Sequence, residues 1–232
     1  METITVITGG NKGIGRETAR RLAAAGHTVL IGARDPERGR AAAAELGVGL
    51  LRLDVTDQRS VDDAAARVRA EYGRCDVLIN NAGANTVVAP LEHTAAEDAA
   101  ALLDVNLWGA LRVTNAFVPL LRASRHPRVV NVSSSVGSFA ETVAHDMFDW
   151  QIVPPVYAVS KTALTMLTLK YSRALPGMLV NAADPGYTET DLNGHRGTQT
   201  VTEGSDAIVR LATLSADGPT GILVNRDGVV PW

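Results

Sequence analysis

Residues 8–15 read Thr-Gly-Gly-Asn-Lys-Gly-Ile-Gly, and this glycine-rich stretch is the strongest indication of the fold. The apolar run Ile-Thr-Val-Ile at 4–7 precedes it, and residues 16–25 behind it have the composition of a helix. A glycine-rich turn between a strand and a helix lets a ligand approach the backbone, and the helix start offers free N–H groups to a phosphate. The spacing differs from the common dinucleotide fingerprint and from a Walker loop. The stretch therefore predicts a phosphate-binding turn, with an ordinary glycine turn as the alternative.

Six further apolar runs of strand length follow, at 28–33, 48–53, 76–79, 128–132, 179–182 and 221–224. Helical patterns separate them at about 34–46, 60–72 (with Ser60 as N-cap), 95–124, 157–174 and 204–214. This alternation is typical of a parallel sheet that helices cover on both faces. The sequence therefore predicts one α/β domain over residues 1–232, with a doubly wound, parallel, seven-stranded sheet.

Composition and charge narrow the classes of function. The chain has 232 residues, a net charge of −3 and a pI of about 5.9, which argues against nucleic acid as a partner. Cys75 is the only cysteine, so no intrachain disulfide and no cysteine metal site can form, and the five histidines show no ligand spacing. We therefore predict no metal. Without a secretory signal or an apolar run of membrane length, a cytoplasmic location away from the membrane is the default expectation.

Polar and glycine-rich residues follow almost every predicted strand. Because ligands of parallel sheets bind beyond the carboxyl ends of the strands, these residues predict a ligand site at that edge. They are Gly9–Gly15, Arg34, Asp54, Asn80–Gly83, Ser134 and Asp184–Gly186.

In their order, these motifs resemble the short-chain dehydrogenase/reductase family. The resemblance extends over essentially the whole chain, and the stretches 6–15 and 180–186 look most like the NADPH-dependent carbonyl reductases of that family. It implies a Rossmann-like fold with the nicotinamide near Tyr157. The motifs that carry it are Thr8–Gly15, Asp54-Val55, Asn80–Gly83, Asn106, Ser134, Tyr157-x-x-x-Lys161 and Pro185-Gly186 with Thr190.

The resemblance implies a catalytic tetrad of Asn106, Ser134, Tyr157 and Lys161. Tyr157 and Lys161 are four residues apart and share one face of a helix, where the alternative is an exposed helical pair. Tyr157 would act as the general acid. A nearby ammonium and an oxidised nicotinamide are expected to lower its pKa from the usual value of ~10.

Ser134 and Asn106 each have a structural alternative. Ser134 lies three residues before Gly137, as in the family motif, and its hydroxyl would bond the substrate carbonyl. Ser135 is the runner-up, and any hydroxyl at a strand end can simply cap backbone groups. Asn106 would hold a water that relays protons to Lys161, or it is a buried amide satisfied by its neighbours.

Arg34 points to NADP(H) as the cofactor. An acid at the end of the second strand suits the ribose of NAD, whereas an arginine suits the phosphate of NADP. Here Ala33 occupies the position of the acid and Arg34 follows. We assign the nearby Asp35 to the next helix as its N-cap, ahead of Pro36. Lys12 would add a second positive charge, or it is a solvated surface lysine.

The remaining cofactor contacts follow from the same resemblance. Asp54 and Val55 would border the adenine, although Asp54 could instead cap a turn, and Thr188 and Thr190 could exchange roles. The full predicted cofactor set is Gly9, Asn11, Lys12, Gly13, Ile14, Gly15, Arg34, Asp54, Val55, Asn80, Ala82, Gly83, Tyr157, Lys161, Pro185, Gly186, Thr188 and Thr190.

Two segments depart from the family pattern or lack a motif. Ser134 and Tyr157 are 23 positions apart, which makes 138–156 an extended loop. Its large apolar side chains line the substrate pocket or form a small satellite core. They are Phe139, Met147, Phe148 and Trp150. The loop could also cover a helix face used for assembly, so monomer and homo-oligomer stay open. The polar stretch 187–204 is interpreted as a mobile lid, or as an ordinary surface loop.

The sequence therefore predicts an NADPH-dependent oxidoreductase that reduces a small-molecule ketone or aldehyde by hydride transfer. Oxidation of a secondary alcohol with NADP+ is one alternative, since the same tetrad serves both directions. A non-catalytic sensor that binds NADP is another. The intact tetrad favours an enzyme, because the fold alone would not.

Overall fold

The computed structural model describes residues 2–87, 89–144 and 154–232. The strands are β1 Thr3–Thr8, β2 His27–Ala33, β3 Gly49–Arg52, β4 Val77–Asn80, β5 Arg128–Val132, β6 Leu179–Ala183, β7 Leu223–Val224 and β8 Val229–Val230. They form one sheet in the order β3-β2-β1-β4-β5-β6-β7-β8, in which β1 to β7 are parallel and β8 is antiparallel to β7. The predicted Rossmann-like doubly wound sheet is confirmed. The predicted count of seven strands is wrong, because the sheet has eight. Strand β8 was missed because it is only two residues long.

The helices alternate with these strands. They are α1 Gly13–Ala24, α2 Pro36–Leu46, α3 Gln58–Tyr72, α4 Ala96–Leu103, α5 Gly109–Arg122, α6 Phe139–Ala144, α7 Pro155–Ala174, α8 Val201–Gly204 and α9 Asp206–Ala212. A π-helical turn, Asp104–Trp108, joins α4 to α5, and short 3-10 turns lie at Leu91–His93, Ser135–Gly137 and Asp191–Asn193. None of the helices in the described ranges has both the length and the apolar character needed to cross a membrane.

Two helix starts test the capping predictions. The Asp35 carboxylate accepts hydrogen bonds from the backbone N–H groups of Glu37 and Arg38 at 2.9 and 3.1 Å, so the predicted N-cap of α2 is confirmed. The predicted cap Ser60 is wrong, because α3 begins at Gln58 with Asp57 as its N-cap. The Ser60 hydroxyl instead accepts from the Asp54 N–H at 3.0 Å.

Alternating side chains of the strands divide the core into two layers. Ile4 and Val6 of β1 pack on the face covered by α3 and α5, where Phe117 is fully buried. Ile7 of β1 and Ile31 of β2 pack on the opposite face, with α1, α2 and α9. Fully burying a side chain of this size stabilises a fold by about 1.5–3 kcal/mol. Both faces of the sheet are therefore closed, and its carboxyl edge remains for a site.

Candidate active site at the carboxyl edge of the sheet

A cavity of about 470 Å³ lies at the carboxyl edge of the sheet. It runs from the turn after β1 to helix α7, and it collects most of the residues that the sequence singled out. Those that line it are Gly9, Asn11, Lys12, Gly13, Ile14, Gly15, Arg34, Asp54, Val55, Ala82, Gly83, Tyr157, Lys161, Pro185 and Thr190.

Five predicted site residues lie outside this lining: Asn80, Asn106, Ser134, Gly186 and Thr188. Asn80 is buried, and its amide donates to Thr114 Oγ1 at 2.9 Å and to Asn131 Oδ1 at 2.8 Å, so its side chain links β4 to α5 and β5. Thr188 is buried too, with its hydroxyl on the Pro185 carbonyl. Of the two threonines proposed to exchange roles, Thr190 is the one that reaches the cavity.

The glycine turn leaves its backbone open to the cavity. Gly9 and Gly13 have φ values of +63° and +54°, which side chains rarely adopt. A Cβ at Gly15 would stand 2.3 Å from Asn81 Nδ2, so glycine is required there as well. No side chain in the described ranges caps the start of α1 at Lys12, so the first N–H groups of this 12-residue helix have no side-chain partner there. The turn therefore has the form of an anion-binding helix start.

Asn81 braces this turn, and the sequence analysis did not select it. Its Nδ2 donates to the carbonyls of Thr8 and Gly9 at 2.9 and 3.1 Å, while the Thr8 hydroxyl accepts from the Asn81 and Ala82 N–H groups. Asn81 thus ties the end of β4 to the turn after β1, and it lines the cavity where Asn80 does not. The repeated asparagine was the only signal in the sequence.

The two predicted phosphate-binding cations have different surroundings. Arg34 is exposed at the cavity rim, and no carboxylate in the described ranges forms an ion pair with it. The Lys12 ammonium pairs with Asp191 at 2.9 Å, and His195 Nε2 lies 3.0 Å from the other oxygen of Asp191. These contacts lower the pKa of Asp191, the Lys12 hydrogen bond most of all. The positive charge of Lys12 is therefore partly offset by Asp191, whereas no carboxylate in the described ranges offsets the charge of Arg34.

Asp54 fits the predicted alternative of a turn cap, and its contact with the adenine stays a prediction. Its carboxylate accepts from the Thr56 N–H at 3.0 Å and from the Thr56 hydroxyl at 2.7 Å, which caps the turn after β3. The residue also lines the cavity beside Val55.

Lys161 and Tyr157 face the cavity from α7. The Lys161 ammonium is 5.4 Å from the centroid of the Tyr157 ring and donates to the Val132 carbonyl at 2.7 Å. Lys161 is only 4% exposed, and burial lowers its pKa to about 8. The amine therefore changes its charge close to neutral pH.

The pKa of Tyr157 differs from the expectation. Burial raises it above the usual value of 10, and the negative charge of Asp184 adds to the increase. The lowering expected from a neighbouring ammonium is not provided by the chain's own groups, because the phenol is desolvated and a buried carboxylate lies nearby. Tyr157 is thus held as a neutral phenol, the form that can donate a proton.

Asn106 lies in the π-helical turn between α4 and α5 and is 2% exposed. Its Oδ1 accepts from the Ala84 N–H at 2.8 Å, and its Nδ2 donates to the Ala84 carbonyl and to Ser160 Oγ, both at 3.0 Å. These contacts match the predicted alternative of a satisfied buried amide. A Cβ on Gly83 would stand 3.6 Å from Asn106 Oδ1 and 3.9 Å from Lys161 Nζ, so both groups flank the same glycine.

Ser134 stands between β5 and the 3-10 turn Ser135–Gly137. It is half-buried, and its hydroxyl accepts from the Val136 N–H at 3.4 Å, so it caps that turn as the alternative allowed. A Cβ at Gly137 would lie 2.6 Å from the Thr162 N–H nitrogen and 2.7 Å from Lys161 C. Only glycine therefore allows the serine loop to pack directly on α7.

In both segments without motifs, the described residues include helical turns rather than forming a simple loop. Phe139 begins α6 and is 70% exposed, whereas Met147, Phe148 and Trp150 lie outside the described residues. The stretch 187–204 contains the 3-10 turn Asp191–Asn193, a bridge between Thr188 and Gln199, and α8. Asp191 and Leu192 reach the cavity from this stretch, and its mobility stays a prediction.

The cavity also contains residues that the sequence analysis missed. Most of them contribute backbone or apolar surface, which has no sequence motif. They can be recognised only once the loop conformations are known. They are Leu53, Thr56, Asn81, Ala84, Asn85, Thr86, Val105, Val132, Ser133, Asp191 and Leu192.

Comparison with known proteins finds the same family as the motifs. The sequence profile of the short chain dehydrogenase family matches residues 3–200. Short-chain dehydrogenase/reductase 1 of Saponaria officinalis is 31% identical, over 98% of this chain and 95% of the relative. A (+)-neomenthol dehydrogenase of Capsicum annuum is 29% identical, over 97% of this chain and 96% of the relative.

Solved structures agree with these sequence relatives. The NADPH-bound carbonyl reductase from chicken fatty liver superimposes with a TM-score of 0.87. The two proteins are 27% identical, and the match covers 100% of both chains. The similarity therefore extends from the strand order to the whole length of the chain.

Proposed function

Because the chain belongs to the short-chain dehydrogenase/reductase family, we propose that this oxidoreductase reduces a ketone or an aldehyde to an alcohol, with Tyr157 as the general acid. The observation that carries the proposal is the placement of Tyr157 and Lys161, which both line the cavity with the Lys161 ammonium 5.4 Å from the centroid of the Tyr157 ring. The Tyr157 phenol is protonated at neutral pH, as a free tyrosine is, and burial keeps it so. A protonated phenol serves reduction, whereas oxidation of an alcohol needs the phenolate as a base.

The cofactor is NADP(H), which supplies the hydride when it is bound. The residues present fit such a group: the open backbone of Gly9–Gly15 and the uncapped start of α1 suit the pyrophosphate. Arg34, without a carboxylate partner in the described ranges, suits the 2′-phosphate. Asp54 and Val55 would border the adenine at the same end of the cavity.

The other members of the tetrad have supporting roles in this proposal. The Ser134 hydroxyl would turn from its cap on Val136 to bond the carbonyl oxygen as negative charge develops there. Lys161 would bind the nicotinamide ribose and return protons to Tyr157. Asn106 would fix the Ala84 segment beside Lys161 and hold the water that relays those protons.

The substrate is proposed to be a small, largely apolar carbonyl compound. Ala84, Val105 and Leu192 contribute apolar surface to the cavity. The name of one relative, a neomenthol dehydrogenase, suggests that cyclic terpenoid ketones and alcohols belong in the first substrate panel.

The decisive experiment is NADPH consumption across aliphatic, cyclic and aromatic ketones and aldehydes, with neomenthol tested in reverse with NADP+. Tyr157→Phe is assayed beside Tyr171→Phe, a control on the same helix whose hydroxyl bonds the exposed Asn115. We expect turnover to be lost in the first variant and kept in the second. Turnover that survives Tyr157→Phe would contradict the assignment of the acid. NADPH binding without turnover of any carbonyl would favour the sensor.

A further inference from the structure

Asp184 is a buried carboxylate that the tetrad does not account for. It follows β6 directly, precedes the Pro185-Gly186 turn, and is only 3% exposed. Carboxylates are rarely buried this completely unless they are paired or hydrogen-bonded. Its surroundings therefore indicate what it does.

Hydrogen bonds to Asp184 join two loops of the site. Asp184 Oδ1 accepts from the Gly186 N–H at 2.9 Å. Ser135, next to Ser134 in the loop after β5, interacts with the same carboxylate through its hydroxyl and its backbone N–H. The Asp184 N–H donates to the Val224 carbonyl at 2.7 Å, which holds the residue to β7. The carboxylate thus ties the serine loop to the turn after β6.

Asp184 also interacts electrostatically with both catalytic groups of α7. Its charge opposes ionisation of Tyr157 and favours the ammonium form of Lys161. In the described parts of the chain no other charged residue acts on either group, and the Lys161 ammonium acts in turn on Asp184. Arg226, which follows β7, pairs with Glu203 at 2.9 Å rather than with Asp184. Asp184 and Lys161, which are buried, therefore form a charge cluster with the half-buried Tyr157.

We propose that Asp184 is a positioning residue of the tetrad, whose buried carboxylate fixes the serine loop against the turn after β6 and contributes a negative charge that acts on both Lys161 and Tyr157. The inference rests on the proposed reductase function for its catalytic meaning. The charge cluster itself exists without turnover, so the two can be tested separately.

The physical reason is the sign of the charge in a desolvated site. A carboxylate beside a phenol disfavours the phenolate, and beside an amine it favours the ammonium. Three donors from Gly186 and Ser135, together with the Lys161 ammonium, stabilise the ionised carboxylate against its burial. Burial nevertheless raises the pKa of Asp184, because desolvation is the larger effect. The three groups therefore titrate as a coupled set.

The first test is the titration of Lys161 by NMR of protein labelled with ¹³C in its lysines. The sequence has only three lysines, Lys12, Lys161 and Lys170, and Lys161→Met assigns the resonance. We expect Asp184→Asn to move the midpoint of Lys161 from about 8 to a lower pH, by about one unit or more. Asp184→Glu should retain part of the wild-type midpoint. Lys12 and Lys170 serve as internal controls, and an unchanged Lys161 midpoint would overturn the inference.

A second variant covers the case in which Asp184→Asn does not fold. Ser135→Ala keeps the carboxylate but removes one of its donors, so the midpoint of Asp184, followed by NMR of protein labelled with ¹³C in its aspartates, should move to higher pH. No change in this variant would equally overturn the inference. In turnover assays of the neutral Asp184 variant, the alkaline limit of ketone reduction should move to lower pH. Loss of activity at every pH with unmoved limits would indicate a structural role alone.

Discussion

At the scale of single residues, we expect Arg34 to decide which nicotinamide cofactor the cavity prefers. It stands at the rim without a carboxylate partner in the described ranges. Arg34→Ala should weaken NADPH binding about 10- to 100-fold and leave NADH nearly unchanged, since a charge-assisted phosphate contact is lost. The measurement is the dissociation constant for each cofactor by fluorescence titration. Arg40→Ala, an exposed change of the same charge on α2, is the control. An unaltered ratio would place the 2′-phosphate on other groups.

Cys75 allows a second prediction at this scale. The thiol is fully buried and burial raises its pKa above the ordinary 9.0. A thiol whose folded pKa is raised contributes stability below the unfolded pKa and loses it as the pH rises further. Above pH 9.0, wild type should lose stability faster than Cys75→Ala, and the difference in slope should approach about 1.4 kcal/mol per pH unit by about pH 10.5. Urea unfolding at several pH values measures this difference. Parallel stability curves for the two proteins would contradict it.

Single residues also show where sequence reasoning ends. The motif around Asn80 was placed at the correct strand end, yet the neighbouring Asn81 is the one that lines the cavity. Which of two adjacent side chains faces a ligand depends on where the strand ends, and β4 ends at Asn80 itself. The charge state of Tyr157 could not be inferred either. It depends on burial and on Asp184, a residue 27 positions away that the sequence placed at the same edge of the sheet without indicating a role.

At the scale of elements, the π-helical turn between α4 and α5 positions the side chain of Asn106. It places Asn106 so that the side chain makes three hydrogen bonds to Ala84 and Ser160. Turns of this kind are frequent at functional sites. Asn106→Ala should lower the free energy of unfolding by about 1–3 kcal/mol, because buried polar groups lose their partners. Asn115→Ala, which removes an exposed bond to Tyr171, should cost clearly less. Chemical denaturation of both variants provides the comparison, and equal losses would contradict the proposed bracing.

Elements were predicted best where the hydrophobic pattern is long. The helix predicted over 95–124 is observed without a gap over 96–122. Its π-helical turn was not predicted, because a single wider turn scarcely changes the spacing of apolar residues. Strand β8 was missed for a related reason, since two residues carry no periodicity. Both features depend on tertiary contacts, such as the pairing of β8 with β7.

At the scale of the whole molecule, the fold brings segments that are distant in sequence together over the cavity. The ion pair between Lys12 and Asp191 is an example. An exposed pair contributes little stability, but its carboxylate neutralises a cation needed by an anionic cofactor. Asp191→Asn should therefore lower the dissociation constant for NADPH a few-fold, and added salt should reduce the gain. Asp63→Asn, an exposed change of equal charge on α3, controls for net charge in the same calorimetric titration. Weaker binding in Asp191→Asn would show that this carboxylate supports the site.

The overall architecture could be predicted because strand, turn and helix signals repeat in one order and parallel strands share one edge. Loop conformation could not, because the 187–204 stretch is held by contacts such as the 2.8 Å bond from the Glu189 N–H to the Gln199 carbonyl. These bonds join backbone groups whose pairing has no residue signature.

The strand order has a consequence for how the chain reaches this structure. β1 lies between β2 and β4, and the Ile4 N–H bonds Asp76, a residue 72 positions later. During synthesis one edge of β1 therefore stays unpaired until β4 has left the ribosome. Pairings between such distant segments close slowly, and exposed strand edges promote association in the meantime. The nascent chain is thus most vulnerable to aggregation before its central strands meet.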